Sequence, residues 1–281
     1  MTIRRLAALG AALVLTVGLS ACTGGVSHAG GGAKLKVGIK FDEPGLGFKR
    51  GSTYAGLDVD VATYVAEQLG YRASDIQWVQ APSAQRETLI STGQVDLVVA
   101  TYSITDQRKK KVSFAGPYFV AGQDLLVRSD DTSITGPESL TGKKLCSASG
   151  STSAQKVKDK YSGVQLQEYQ TYSECVAALV AGRVDAVTTD NAILAGYAAE
   201  PAYKGTLRVV GKAFSQERYG IGFRHGDVAL CQKITTAITS MISSGAWQRA
   251  VDANLGPSGF RVDRTTNPPQ PDPCPSESTS S

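Results

Sequence analysis

Histidine is almost missing from this chain, with only His28 and His225 among 281 residues. Both lie beside glycine and turn-forming neighbours and read as solvated surface residues, so no Ser-His-Asp or Cys-His set can be assembled from them. Cysteine is sparse too: five residues with no short Cys-x-x-Cys spacing, which argues against a metal site. The formal charge is only +4, and the run Lys109 to Lys111 is too short for a nucleic-acid footprint. It reads as a solvated basic turn. No glycine loop of the phosphate-binding kind is present. The apolar run Leu6 to Leu19, at about fourteen residues, falls short of the ~20 needed to span a bilayer. These absences leave carboxylates, hydroxyls and cations as the groups from which a site can be built, and they predict no catalytic residue, no metal and no cofactor.

Arg4 and Arg5 precede that apolar run, and Leu19-Ser-Ala-Cys22 follows it. A positive, an apolar and a small-residue region in that order form a secretory signal. The cysteine directly after the small residues resembles the lipobox of bacterial lipoproteins, which makes residues 1–21 the signal and Cys22 the lipid-bearing N-terminus. Removing them leaves 27 basic against 25 acidic residues. Export places the other four cysteines in an oxidising compartment. Three connectivities are open to them. The nearest-neighbour one, Cys146 with Cys175 and Cys231 with Cys274, keeps each bridge local.

Gly and Ser dominate up to Ala33, so residues 22–33 read as a flexible linker. Residues 263–281, with five prolines from Pro268 to Pro275, read as a disordered tail unless the second bridge pins it. Strand and helix signals alternate in between. Leu35 to Ile39 is strand-like. Asp58 to Leu69 has helical spacing and stops at Gly70. Ile76 to Val79 reads as a strand, Ser83 as a cap for a helix Ala84 to Thr92, and Val95 to Ala100 as a buried strand. Such alternation predicts parallel sheets covered by helices. The unit ending Gly93-Gln-Val-Asp96 recurs, 89 residues later, as Gly182-Arg-Val-Asp185. With 260 residues after cleavage, two similar α/β lobes account for that echo.

The segment Thr101 to Arg108 offers hydroxyls at Thr101, Ser103 and Thr105. Alternate residues of an extended segment point the same way. Thr105 and Asp106 are helix-capping types that bring the Arg108 guanidinium to the same place. Hydroxyls beside a forked cation describe a carboxylate clamp. It lies beyond the carboxyl end of a strand, as does Thr188-Thr-Asp190 in the second unit; in open α/β sheets ligands sit there.

Taken in order, Val37 to Asp42, Gly56 to Asp60, Gly93 to Asp96, Thr101 to Arg108, Val112 to Tyr118 and Asp185 to Asp190 resemble the extracytoplasmic solute-binding proteins of polar amino-acid ABC transporters. Gly150 to Asp159 and Tyr172 to Cys175 are most similar to the glutamate-binding lipoproteins of actinobacteria. The resemblance covers about residues 34–262. It implies an α/β, two-lobed periplasmic-binding-protein type II fold with a two-strand hinge, one crossing near Ala121 to Val127 and the other near Glu217 to Phe223. Lobe 1 is then residues 34–124 and 217–262, and lobe 2 is 125–216.

The resemblance also implies roles. Arg108 with Thr101, Ser103 and Thr105 holds the ligand's α-carboxylate, joined by Ser151 and Thr152 from lobe 2. Asp190 accepts the ammonium, against the plainer role of capping the following helix. Lys40 and Arg86, the latter in Ser83-Ala-Gln-Arg86, meet a distal carboxylate, and Tyr172 is a further contact. Ser83 replaces an aromatic of the glutamine binders, so stacking falls to Phe41 or Tyr102. Asp96 and Asp185 read as structural partners in their turns. An unpaired buried charge costs roughly 3–5 kcal/mol, so glutamine should bind more weakly than glutamate. The expectation is a monomeric, lipid-anchored protein on the outer face of the cytoplasmic membrane that delivers glutamate, with aspartate as the alternative, to an ABC permease. A sensor handing its closed form to a membrane receptor is the competing role, and a dehydratase of the same fold the weakest.

Overall fold

A computed structural model describes residues 34–276; the signal segment, Cys22, His28 and the linker lie outside the described residues. In chain order the elements are β1 (Leu35–Ile39), β2 (Phe48–Arg50), β3 (Thr53–Ala55), α1 (Leu57–Gln68), β4 (Ile76–Gln80), α2 (Arg86–Ser91), β5 (Leu97–Val98), α3 (Asp106–Lys109) and β6 (Ser113–Ala121). They continue as β7 (Gln123–Arg128), β8 (Lys144–Ala148), α4 (Thr152–Lys160), β9 (Gln165–Tyr169), α5 (Tyr172–Val180), β10 (Ala186–Asp190), α6 (Asn191–Ala199), β11 (Leu207–Val209), β12 (Glu217–Phe223), α7 (Val228–Ser243) and α8 (Ala246–Leu255).

Two five-stranded sheets result, ordered β4-β1-β5-β12-β6 and β11-β7-β10-β8-β9. In the first, β4, β1 and β5 are parallel and β12 runs against β5 and β6. In the second, β9, β8 and β10 are parallel and β7 runs against β10 and β11. The sheets are therefore mixed rather than wholly parallel, because the chain returns into each one antiparallel. Read from β4 and from β9, they show the same pattern.

The repeated turns explain the likeness. Asp96 Oδ2 accepts the Lys36 N–H at 2.8 Å, and Asp185 Oδ2 accepts the Lys144 N–H at 2.8 Å. Each carboxylate ties the entry of one parallel strand to the start of the next. Gly93 (φ 69°) and Gly182 (φ 68°) end the preceding helices in the left-handed region that glycine adopts without a Cβ penalty.

Some local expectations give way. The strand expected over Val95 to Ala100 pairs only at Leu97 and Val98, since Thr101 turns the chain at φ 46°. Ser83 begins a short 3-10 turn and caps nothing; its hydroxyl accepts from Lys40 Nζ at 3.0 Å. The first crossing falls at Gly122, between β6 and β7. The second falls within residues 210–216, because β11 ends in the second sheet at Val209 and β12 enters the first sheet at Glu217.

Residues 263–276 are not a loose tail. Asn267 is buried and pairs with the edge of β6 like a strand: Val120 N–H donates to its Oδ1 at 2.9 Å, and its Nδ2 donates to Val120 O at 2.9 Å. Asp272 N–H donates to Gly116 O and its carboxylate pairs with Arg218 at 2.7 Å. A Cys231–Cys274 disulfide fixes the end, and Cys146–Cys175 joins β8 to α5. Proline-rich composition signalled disorder, but an edge strand leaves backbone groups that a segment short of N–H groups can still satisfy through a side-chain amide and the few N–H groups it keeps. Asn267→Ala should cost about 1–3 kcal/mol in urea unfolding, the penalty for two orphaned backbone groups, whereas Pro275→Ala should leave the midpoint unchanged.

Candidate ligand-binding cleft

Three cations are buried where the lobes meet. Lys40, Arg86 and Arg108 are 2%, 2% and 8% exposed, so none is a surface charge. Lys40 directly follows β1 and donates to Ser83 Oγ, stands 3.5 Å from Glu43 Oε1, and lies 5.4 Å over the ring of Tyr172 from lobe 2. Burial lowers its affinity for a proton. Arg86 opens α2 and donates through Nη1 to Ala100 O at 2.8 Å; its buried Nε has no hydrogen-bond partner among the described residues. Arg108 donates to Ser103 O at 2.8 Å and, across the cleft, to Gly150 O at 3.1 Å, and it pairs with Glu87 at 3.3 Å. Burial first, then the nearby Arg86 charge, brings its guanidinium down to about 10. Both guanidiniums lie over the buried Tyr102 ring, at 4.3 and 4.9 Å, so cation–π attraction gathers two like charges in one place.

The hydroxyls do not line up as an extended segment would place them. The Thr101 backbone departs from extension, and its N–H donates to the buried Asp58 at 2.9 Å. Asp58 also accepts from Tyr118 at 2.6 Å. Burial pushes the Asp58 carboxyl up to about 6 against those two bonds. This acid, in the first turn of α1, holds the strained residue in place. Ser103 Oγ lies 3.4 Å from Thr152 Oγ1 of lobe 2, while Thr105 caps α3 by accepting from the Arg108 N–H. Thr105 therefore positions Arg108 through its backbone.

From lobe 2, Ser151 caps α4 by accepting from Ala154 N–H, and Thr152 donates to Glu217 at 2.9 Å. Asp190 ends β10 and makes no side-chain cap to α6. Its Oδ2 accepts from Tyr219 at 2.7 Å, and its buried Oδ1 has no hydrogen-bond partner among the described residues. Burial, with Glu217 nearby, raises this carboxyl to about 7. Tyr172 is buried between the two ends of the cluster, near Ser151 and Thr189 and feeling both Asp190 and Glu43; burial raises its phenol to about 12. Phe41 packs on Tyr54 instead.

Residue patterns missed the acids that hold the lobes and the cations. Glu217, at the start of β12, pairs with Lys156 of α4 and accepts from Ser215 at 2.8 Å. Burial would raise it, but the Lys156 and Ser215 bonds outweigh that and leave it lowered. Asp42 accepts from Ser173 N–H and Tyr197 of lobe 2. Asp58 lies in a block already singled out, Gly56 to Asp60, and Glu43 lies just outside one, after Asp42. The signal available for Glu43 was its acid character one turn beyond a strand-end lysine. The lobes also meet backbone to backbone: a Cβ on Gly196 of α6 would stand 2.1 Å from Pro44 O, and one on Gly150 would stand 2.6 Å from Ala84 Cα.

Asp58 and Asp190 keep protons in the folded chain up to about pH 6 and 7, whereas an unfolded aspartate loses its proton near 4. Between about pH 4 and 7 the folded state thus binds more protons, and unfolding free energy falls as pH rises. Denaturant midpoints should be higher at pH 5 than at pH 7. Asp190→Asn should flatten that slope by up to about 1.4 kcal/mol per pH unit; an unchanged slope would show that Asp190 ionises freely.

The comparisons with known proteins agree with one another. The family model described as bacterial extracellular solute-binding proteins, family 3, matches residues 35–257. The chain is 46% identical over 278 residues to the glutamate-binding protein GluB of Corynebacterium glutamicum, covering 92% of this chain and 93% of that one. It is 36% identical over 217 residues to the ABC transporter glutamine-binding protein GlnH of Bacillus subtilis, covering 76% and 78%. Among solved structures, an ancestral arginine-binding protein bound to glutamine is similar with a TM-score of 0.74 at 35% identity, over 80% of this chain and 98% of that one. All are named for binding rather than turnover. With the family's pattern matched from β1 to the end of α8, the chain belongs to the bacterial extracellular solute-binding proteins of family 3.

Proposed function

We propose that this protein captures glutamate, with aspartate as the second candidate, in the cleft between its lobes and delivers it to an ABC permease for import. It acts as a monomer held to the outer face of the cytoplasmic membrane by a lipid on Cys22. The observation that carries the reading is the gathering of Lys40, Arg86 and Arg108 with Asp190, all buried, with an unpartnered donor at Arg86 and an unpartnered acceptor at Asp190. A dicarboxylic amino acid has two anionic poles and one ammonium, which such a set neutralises in pairs. The identity to a protein named for glutamate binding supports the same choice.

Arg108, with Ser103, takes the α-carboxylate; Ser151 and Thr152 approach it from the start of α4. Asp190 Oδ1 accepts the ammonium. Lys40 and Arg86 face the distal carboxylate, and Tyr172 closes over Lys40. A ligand that joins groups of both lobes favours the closed arrangement by its higher affinity for it. The permease then recognises that arrangement.

Calorimetric titration of the exported chain, Thr23 to Ser281, should show glutamate binding tighter than glutamine and arginine. Arg86→Ala should weaken glutamate by about a hundredfold or more while weak glutamine binding persists. Tighter binding of glutamine or arginine by the wild type would refute the distal-pole assignment. Closure has its own test. Gly196→Ala suits a helix but sets a methyl against Pro44 O, so glutamate affinity should drop at least about tenfold with the thermal midpoint nearly unchanged.

A further inference from the structure

Glu43 is a buried acid with two oxygens in different circumstances, and it stands beside the cation assigned to the ligand's distal end. Oε1 has no hydrogen-bond partner among the described residues and lies 3.5 Å from Lys40 Nζ. Oε2 lies 3.0 Å from Thr101 Oγ1, which is itself 2.7 Å from Ala100 O. A threonine hydroxyl has one proton, and a carbonyl oxygen only accepts. That one proton cannot fully serve both acceptors, and Oε1 is met by none, so Glu43 has room for a proton of its own despite the neighbouring lysine.

The groups around it point the same way. Lys40 on β1 is the facing cation. Asp42 from the same loop and Asp58 from α1 are facing anions, and the phenols of Tyr118, Tyr172, Tyr197 and Tyr219 complete the surround. Burial is the largest influence and, with the two aspartates, outweighs Lys40 and the Thr101 hydroxyl, raising the carboxyl to about 8.

Resting on the reading of the cleft as an acidic amino-acid site, we propose that Glu43 distinguishes an acidic side chain from its amide by its protonation state. A distal carboxylate near Lys40 would be repelled by a second anion, so the dicarboxylate selects the protonated form, whose O–H donates to it. An amide presents N–H donors instead, and the ionised form accepts from them. The proton comes from solvent when glutamate binds and returns when it leaves. Asp190 meets the same ammonium in both ligands, so any proton it exchanges cancels in the comparison.

The test is titration calorimetry of the exported chain with glutamate and with glutamine, at pH 7.0, 8.0 and 8.5, in buffers of different ionisation enthalpy. At pH 8 glutamate should take up about half a proton and glutamine should release about half, a difference of about one. The preference for glutamate should fall about thirtyfold between pH 7 and 8.5. Glu43→Gln should remove the proton difference and flatten the trend. Glutamate binding with equal proton counts for the two ligands overturns this inference alone, as does a pH trend that survives in Glu43→Gln. No glutamate binding at all overturns the acidic-ligand reading and this inference with it. The wild-type proton counts decide the matter even if the variant fails to fold.

Discussion

The structure depends on how three cations are kept buried between two lobes. A charge left unpaired there costs several kcal/mol, so each must be met by an acceptor, a ring or a carboxylate. Arg86 and Arg108 share the Tyr102 ring and each donates to a carbonyl of the loop that follows β5. Lys40 has Ser83 and Glu43. Those acceptors exist only because Thr101 turns the backbone away from the strand, and the turn stands because Asp58 takes its N–H from the start of α1. One buried aspartate therefore links helix packing to cleft geometry.

The same logic extends across the cleft. Arg108 reaches Gly150 O, Glu217 meets Thr152 and Lys156, and Asp42 meets Ser173 and Tyr197. Each of these contacts joins a charged group of one lobe to a polar or oppositely charged group of the other, with glycine where the backbones come closest. Polar contacts of this kind are worth little net energy in water, since water competes for both partners. They suit lobes that must part and meet again, and they leave the energy difference between the two arrangements small enough for a ligand to decide.

Much of this was legible in the chain. The helix–Gly–x–Val–Asp echo located both parallel-strand crossovers, because a turn that ties its aspartate to a neighbouring strand imposes its residues locally. The clamp arginine, Lys40, Arg86 and Asp190 were readable from family blocks, and all four are buried at one place. What failed was reasoning from one segment alone. An extended run from Thr101 to Thr105 would aim three hydroxyls together, but a left-handed Thr101 and a capping Thr105 turn two of them to other duties. Proline content spoke for disorder after Asp263, yet an edge strand, an ion pair and a disulfide hold the segment to residue 276.

Local chemistry sets what the sequence by itself determined: the α/β alternation, the repeated unit, the export signal's pattern and the identity of the cations, each written in adjacent residues. Only the tertiary structure decided which acids face those cations. Glu43, Asp58 and Glu217 come from a loop, a helix and a returning strand, and their proton affinities follow from burial and from neighbours far away in the chain. Spacing cannot report such encounters, because desolvation and charge act through space and not along the backbone.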